Sequence, residues 1–164
     1  MDALLSVGQN LQINDNLELS SIQVPSLSSV SGNLQVSRND VLDSVDFPVL
    51  DTLGGGLTIQ GNDVLAGFSL PHVAQIPGSV TMSYDLQLAD VDFTSLHTIG
   101  GSLSVSNNLG LTDLSSWHGV QSIGSHVNFS NNASLATSDI DDLLYNTIGS
   151  SNIGGSIYIS GNGQ

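Results

Sequence analysis

The chain has 164 residues, and its single basic residue, Arg38, stands against fifteen Asp and Glu for a net charge of −14, which argues against gripping a phosphate backbone or an anionic membrane surface. It contains no Cys, so disulfides and thiolate metal sites are excluded; no apolar run approaches the length of a membrane-spanning helix. The length suits one domain, and with aromatics at 5% its core must be built from Leu, Val and Ile.

Charged residues are only 10% of the chain, so the polar surface comes mainly from Ser, Asn, Gln, Thr and Gly. That composition reads as extracellular or cell-surface. The first stretch, Met1–Asn10, lacks the basic start of a secretory signal. Leu4 and Val7 already fall into the repeat that follows, so the chain enters in mid-turn. Two expectations fit this: a fragment flanked by further repeats of a larger chain, or an N-terminal edge covered by a partner.

From Leu11 onward a short motif, apolar–x–apolar, recurs. Its first residue is Leu11, Leu34, Leu57, Val80, Leu103, Val127 and Ile157, at spacings of 23, 23, 23, 23, 24 and 30. Two residues later stand Ile13, Val36, Ile59, Met82, Val105, Phe129 and Ile159. Apolar residues two apart point to one side of a strand. A single turn cannot bury that side alone, so neighbouring turns stack into a continuous core, with parallel strands about 4.8 Å apart.

Other columns keep step. Five residues after each strand start come Asn16, Asn39, Asn62, Asp85, Asn108, Asn132 and Asn162. Inside a coil, an amide there can satisfy backbone groups of its own and adjacent turns. Before the strands stand Gly8, Gly32, Gly55, Gly78, Gly101 and Gly124, predicted to supply sharp corners. The triplet Gly54–Gly56 reads as a corner as well, not as a phosphate cradle.

Near the end, residues 138–149 read as a short capping helix inside the longer last repeat. Ser138 suits the N-cap, and Asp139, Asp141 and Asp142 favour the positive end of the helix dipole. Ile140, Leu143, Leu144 and Ile148 share a face, and Gly149 suits the stop.

The unit GGSLSVSNNLGLTDLSSWHGVQSIG, Gly100–Gly124, resembles the leucine-rich repeat. In detail it is similar to the variant found in receptor L-domains, fungal cell-wall anchored proteins and bacterial secreted repeat proteins. The resemblance covers essentially the whole chain. It implies a mainly β, right-handed parallel β-solenoid of about seven turns of 23 residues, with residues 1–164 forming one domain. For function it implies little, because solenoids host many partners.

Chemistry-bearing residues are sparse. Polysaccharide-cutting solenoids need clustered carboxylates, commonly with a cation to stabilise developing charge, and this chain has no Lys. No catalytic residue and no cofactor is expected. Arg38 stands one turn above Asp15, predicting a surface ion pair of little worth. Asp90 and Asp113 occupy one column on adjacent turns, as do Asp40 and Asp63; Asp90 and Asp113 are weak Ca²⁺ candidates, with solvated carboxylates the plainer reading. His72, His97, His118 and His126 lie in different columns without zinc spacing. Trp117 beside His118 is either an aromatic contact patch or a filler for the one-residue insertion that makes its turn 24 long. Asn128 and Asn132 match the glycosylation pattern, by chance in so Asn- and Ser-rich a chain.

One surface is distinctive. The outward residue at each strand centre is Gln12, Gln35, Thr58, Thr81, Ser104, Asn128 and Tyr158, and the outward residue closing each strand is Asn14, Ser37, Gln60, Ser83, Ser106, Ser130 and Ser160. Together they predict an uncharged strip of hydroxyls and amides. Such a strip suits a protein or a carbohydrate, including cell-wall or matrix material, bound through many weak hydrogen bonds. The expectation is a non-catalytic binding or structural module with no nucleic-acid partner and no membrane insertion. Ice binding through the Thr/Ser/Gln face is the alternative.

Overall fold

The computed structural model describes residues 3–164; Met1 and Asp2, the first residues of the mid-turn start, lie outside the described residues. The chain is a mainly β parallel solenoid whose turn is about 23 residues long. Its broadest side is a seven-stranded parallel sheet formed by Leu11–Asn14, Leu34–Ser37, Leu57–Gln60, Val80–Ser83, Leu103–Ser106, Val127–Ser130 and Ile157–Ser160. Each strand pairs with the next at equivalent positions, Leu34 against Leu57 and Leu57 against Val80 among them.

A second side carries four short parallel strands: Ser21–Gln23, Ser44–Asp46, Gly67–Ser69 and Asp90–Asp92. Two-residue strands make the third side in two groups of three, Ser6–Val7 to Thr52–Leu53 and Gln75–Ile76 to Ser122–Ile123. The expected seven turns hold for the strands of the broad sheet, but the complete regular turns number about five. The sixth is enlarged by a helix, and the seventh contributes a strand without a further circuit.

The split in the third side has a chemical cause. At one corner of each turn a backbone N–H donates to the turn before: Ser31 to Val7, Gly54 to Val30, Gly100 to Ile76 and Gly124 to Ile99. Pro77 occupies that corner in the third turn and has no N–H to give. The ladder stops there, and an open groove of about 280 Å³ lies between Asp51–Leu53 and Ala74–Pro77.

Stacking explains which apolar residues are buried. Leu34, Val36, Leu57, Ile59, Val80, Met82, Val105, Val127 and Phe129 are fully buried, whereas Leu11, Ile13, Ile157 and Ile159 at the two ends are only half-buried. Each full burial contributes about 1.5–3 kcal/mol, so the middle turns are held hardest.

The corner glycines work differently from the expectation. None of Gly8, Gly32, Gly55, Gly78, Gly101 or Gly124 has a positive φ. Gly124 is required by close approach: a Cβ there would lie 2.1 Å from the Gly100 carbonyl oxygen. The left-handed corner falls instead four residues after each strand start, at Asp15, Arg38, Gly61, Tyr84, Asn107, Asn131 and Gly161, with φ between 53° and 66°.

In the fifth turn the inserted residue lies in a 3₁₀ segment, Ser115–Trp117, which replaces the second-side strand. Trp117 is buried there, tilted against Phe93 with centroids 5.1 Å apart and near Phe129 at 6.4 Å. Its Nε1–H donates to the Val91 carbonyl at 3.0 Å, and the Ser116 hydroxyl donates to the same oxygen at 2.6 Å. Side chains thus take over from the missing backbone ladder. Trp117 is a filler, not a contact patch.

The helix near the C-terminus is α-helical over Thr137–Asp141 and π-helical over Asp142–Ile148. It starts one residue earlier than expected. Ala136 is the N-cap, and Ser138 makes no cap hydrogen bond. Thr137 instead ties the start down by donating its hydroxyl to the Gly163 carbonyl at 2.7 Å. Ile140, Leu143, Leu144 and Ile148 are buried as expected, and Gly149 ends the helix at φ 78°. The five-residue step from Leu143 to Ile148 matches the i→i+5 bonding of a π-helix.

Candidate binding face

The register of the broad sheet sets the geometry of its outer surface. Gln12 pairs with Gln35, Gln35 with Thr58, Thr58 with Thr81, Thr81 with Ser104, Ser104 with Asn128 and Asn128 with Tyr158. Because strand residues alternate between faces, this file points outward along its whole length, and neither it nor its neighbour contains a charged residue. Gln12 and Tyr158, at the two ends, are exposed; Gln35, Thr58, Thr81, Ser104 and Asn128 are half-buried.

The second file is less open than expected. Ser37 is fully buried and Ser83 only 5% exposed, so Ser83 is a poor contact residue. Ser37 donates to Asn14 Oδ1 at 2.7 Å and accepts from Gln35 Nε2 at 3.1 Å. At the other end Asn128 donates to the hydroxyls of Ser104 and Ser130, each at 3.3 Å. Gln60 and Ser160 are exposed, and Ser106 is half-buried. Several polar groups of the strip are therefore paired with one another, while the central Thr58 and Thr81 stay half-open to a ligand.

One edge of the face is the left-handed column. There Arg38 meets the Asp15 carboxylate with two donors, at 2.5 Å and 2.7 Å, both side chains being well exposed. This pairing lowers the Asp15 pKa, chiefly through the side-chain hydrogen bond from Arg38. Tyr84, on the same column, is 54% exposed beside the half-buried file. Sequence reasoning missed this column, although Asp15, Gly61, Asn107, Asn131 and Gly161 recur at one position and are residue types that tolerate left-handed backbone.

Behind the face lies the buried amide file. Asn39 Nδ2 donates to the Ile13 carbonyl, Asn62 to Val36, Asn108 to Met82, Asn132 to Val105 and Asn162 to Phe129, all at 2.9–3.1 Å. Each backbone N–H of the file donates to the side-chain oxygen one turn on, from Asn16 to Asn39 through to Asn132 to Asn162. Asn132 is fully buried with its side-chain nitrogen bonded to Val105 and Asn162, which leaves no room for a glycan in this fold, and Asn128 is half-buried. Asp85 stands in this file as a carboxyl, its Oδ2 buried without a hydrogen-bond partner. Desolvation pushes its pKa up to about 7.

The acidic columns on the turns are used locally. Asp113 accepts from the Ser115 N–H and the Ser115 hydroxyl, each at 2.7 Å, and these bonds lower its pKa. Asp92 is lowered in the same way, first by the Thr94 hydroxyl. Asp90 is exposed at its strand start, opposite Gly67. Among the described residues no three His, Asp or Glu side chains converge as a metal site.

Asp113, His118, Asp139 and Asp142 line a shallow depression of about 100 Å³. His118 Nδ1 faces the Ser115 carbonyl and its Nε2 faces Asp142, both at 3.0 Å. Both ring nitrogens thus face oxygen atoms of the chain itself. Asp142 is lowered by its bonds from Asn146 and His118. Of the remaining histidines, His126 accepts the Ser156 N–H on Nδ1 at 2.9 Å, holding the last turn, and His72 and His97 are exposed.

Comparison of the chain with protein-family profiles, with curated proteins and with solved structures found no match.

Proposed function

We propose that this solenoid is a non-catalytic binding or structural module of the extracellular or cell-surface kind, related to the leucine-rich repeats of receptor L-domains. Its broad sheet contacts a protein or a carbohydrate, such as cell-wall or matrix material, and further repeats of a larger chain can continue its stack. The observation that carries this reading is the uninterrupted outward file from Gln12 to Tyr158, neutral throughout in a chain of net charge −14. A partner for such a surface presents hydroxyl, amide or acetamido groups rather than phosphate, and binds through many weak contacts. The locally committed His118 and Asp113 side chains support a role without catalysis.

The test is a screen of the full chain against a glycan array and a panel of cell-wall polysaccharides, repeated with a Thr58→Asp, Thr81→Asp double variant. The reading expects at least one ligand, with binding reduced about tenfold or more by the variant, a loss of about 1.4 kcal/mol. Ligands held equally well by both proteins would contradict it.

Ice binding is a second reading, favoured by the pairing of Thr58 with Thr81 and of Thr81 with Ser104. This register repeats hydroxyl-bearing residues at about 4.8 Å along the stack. Thermal hysteresis abolished by Thr81→Tyr would support it. Ice growth unaltered by the wild-type chain would contradict it.

A further inference from the structure

The amide file has one member that is not an amide. Along the file, side-chain oxygens accept from the turn before, and side-chain nitrogens donate to a strand carbonyl: Asn62 to Val36 and Asn108 to Met82, each 26 residues back. Asn39 and Asn62 also donate to the side-chain oxygen one turn on. Asp85 keeps the accepting half of this pattern. Its Oδ1 takes the Asn62 N–H at 2.8 Å and the Asn62 Nδ2–H at 3.0 Å. Its Oδ2 occupies the place of the missing amide nitrogen, is buried, and has no partner. By the register of the file, the groups offered to it are the Ile59 carbonyl and the Asn108 side-chain oxygen. Both are acceptors, and the latter already receives the Asp85 N–H at 3.1 Å. A carboxylate there meets lone pairs with lone pairs; a carboxylic acid can donate.

We propose that Asp85 is a proton-operated latch at the middle of the solenoid: as a carboxylic acid it joins the third, fourth and fifth turns as an asparagine would, and as a carboxylate it opens that seam. The elements packed around it offer no compensating cation. Asn62 and Asn108 above and below are neutral. Asp63, in the preceding turn, is the charged group that acts on it, and its repulsion favours the protonated form. Arg38 belongs to the second turn and is engaged with Asp15. Burial acts in the same direction as the geometry, placing the titration at about 7 against an ordinary value of 3.8.

The sign follows from proton linkage. The folded chain holds this proton over a range in which the unfolded chain has released it. Stability from this site is therefore complete below 3.8 and is lost as pH rises to about 7. A displacement of that size corresponds to at most on the order of a thousandfold in the folding equilibrium.

The experiment pairs urea unfolding of the full chain at a series of pH values with a ¹³C carboxyl NMR titration, on the wild type and on Asp85→Asn. The expected result has three parts. One wild-type Asp carboxyl titrates near neutrality, and its signal is absent from the variant. The wild-type unfolding constant rises by tenfold to a thousandfold between about pH 4 and about pH 8. The variant, which restores the amide, changes less than tenfold over the same span. An Asp85 signal that titrates below about pH 5, or the same alkaline loss of stability in both proteins, would overturn the proposal. Should Asp85→Asn fail to fold, the wild-type titration, with Asp63→Asn identifying the Asp85 signal by lowering its midpoint, decides the matter alone.

Discussion

Arg38 and Asp15, one turn apart, hold each other by two hydrogen bonds while both adopt left-handed backbone, at φ 53° and 60°. Seven residues in vertical register share this conformation, and two of them, Arg38 and Tyr84, are types for which it is costly. Arg38 has the Asp15 pair as local compensation. Tyr84 is exposed and makes no side-chain hydrogen bond within the described structure. Tyr84→Gly should therefore raise stability by about 1 kcal/mol, the left-handed penalty of a non-glycine residue less glycine's greater chain entropy. Denaturant unfolding checks this. A loss of stability would mean that the ring makes contacts that outweigh its backbone cost.

The amide file predicts a gradient along the stack. Asn108→Ala removes the side-chain donor to the Met82 carbonyl and orphans the Asp85 N–H in the buried middle, where an orphaned donor costs about 1–3 kcal/mol. Asn16 lies at the exposed end and its Nδ2 donates to the Asn14 carbonyl of its own turn and to Asn39. Asn16→Ala should cost less than half as much as Asn108→Ala in the same unfolding measurement.

Trp117 is the only tryptophan of the chain, so its fluorescence reports one site. Buried against Phe93 and bonded to the Val91 carbonyl, it should emit at a blue-shifted wavelength and resist quenching by iodide or acrylamide. Trp117→Phe keeps most of the apolar volume and removes the Nε1 donor. The expected cost is about 1–3 kcal/mol for the hydrogen bond lost and the volume left unfilled. An emission maximum typical of water would contradict the filler assignment.

Acid acts on the solenoid in two opposed ways. Asp92 and Asp113 are held below the ordinary 3.8 by hydroxyl and backbone donors. They add stability above that value and lose it as pH falls through their lowered folded values. Asp85 has the reverse sign, its contribution fading as pH rises from 3.8 to about 7. Urea midpoints across about pH 2 to about pH 8 should thus peak in the mildly acidic range just above 3.8. In Asp113→Asn the acid limb should be shallower and the neutral limb unchanged.

Much of this was legible in the sequence because a solenoid converts period into position. A 23-residue recurrence of Leu and Val identified the strands of the broad sheet and their inward faces, and the Asn column marked the buried file. Local chemistry was harder to read. The left-handed column was hidden by Arg38 and Tyr84, and the glycine column suggested torsion where the cause is contact between stacked backbones. Pro77 could have announced the break in the third side, since a proline in a ladder position removes a donor. The burial of Ser37 depends on side-chain pairing with Asn14 across turns, which no spacing encodes. The shift from α- to π-helix after Asp141 likewise reflects packing of Leu143, Leu144 and Ile148 on the core.

The most direct measurement exploits the lack of native Cys. Thr58 and Thr81 are register partners on the outer face, at a separation within the range that a disulfide spans. A Thr58→Cys, Thr81→Cys variant should crosslink readily under mild oxidation, whereas a Thr58→Cys, Met82→Cys variant, with its second thiol on the buried face, should not. Efficient crosslinking of the second pair but not the first would mean that the strands are slipped by one residue, and the outward neutral file would not exist.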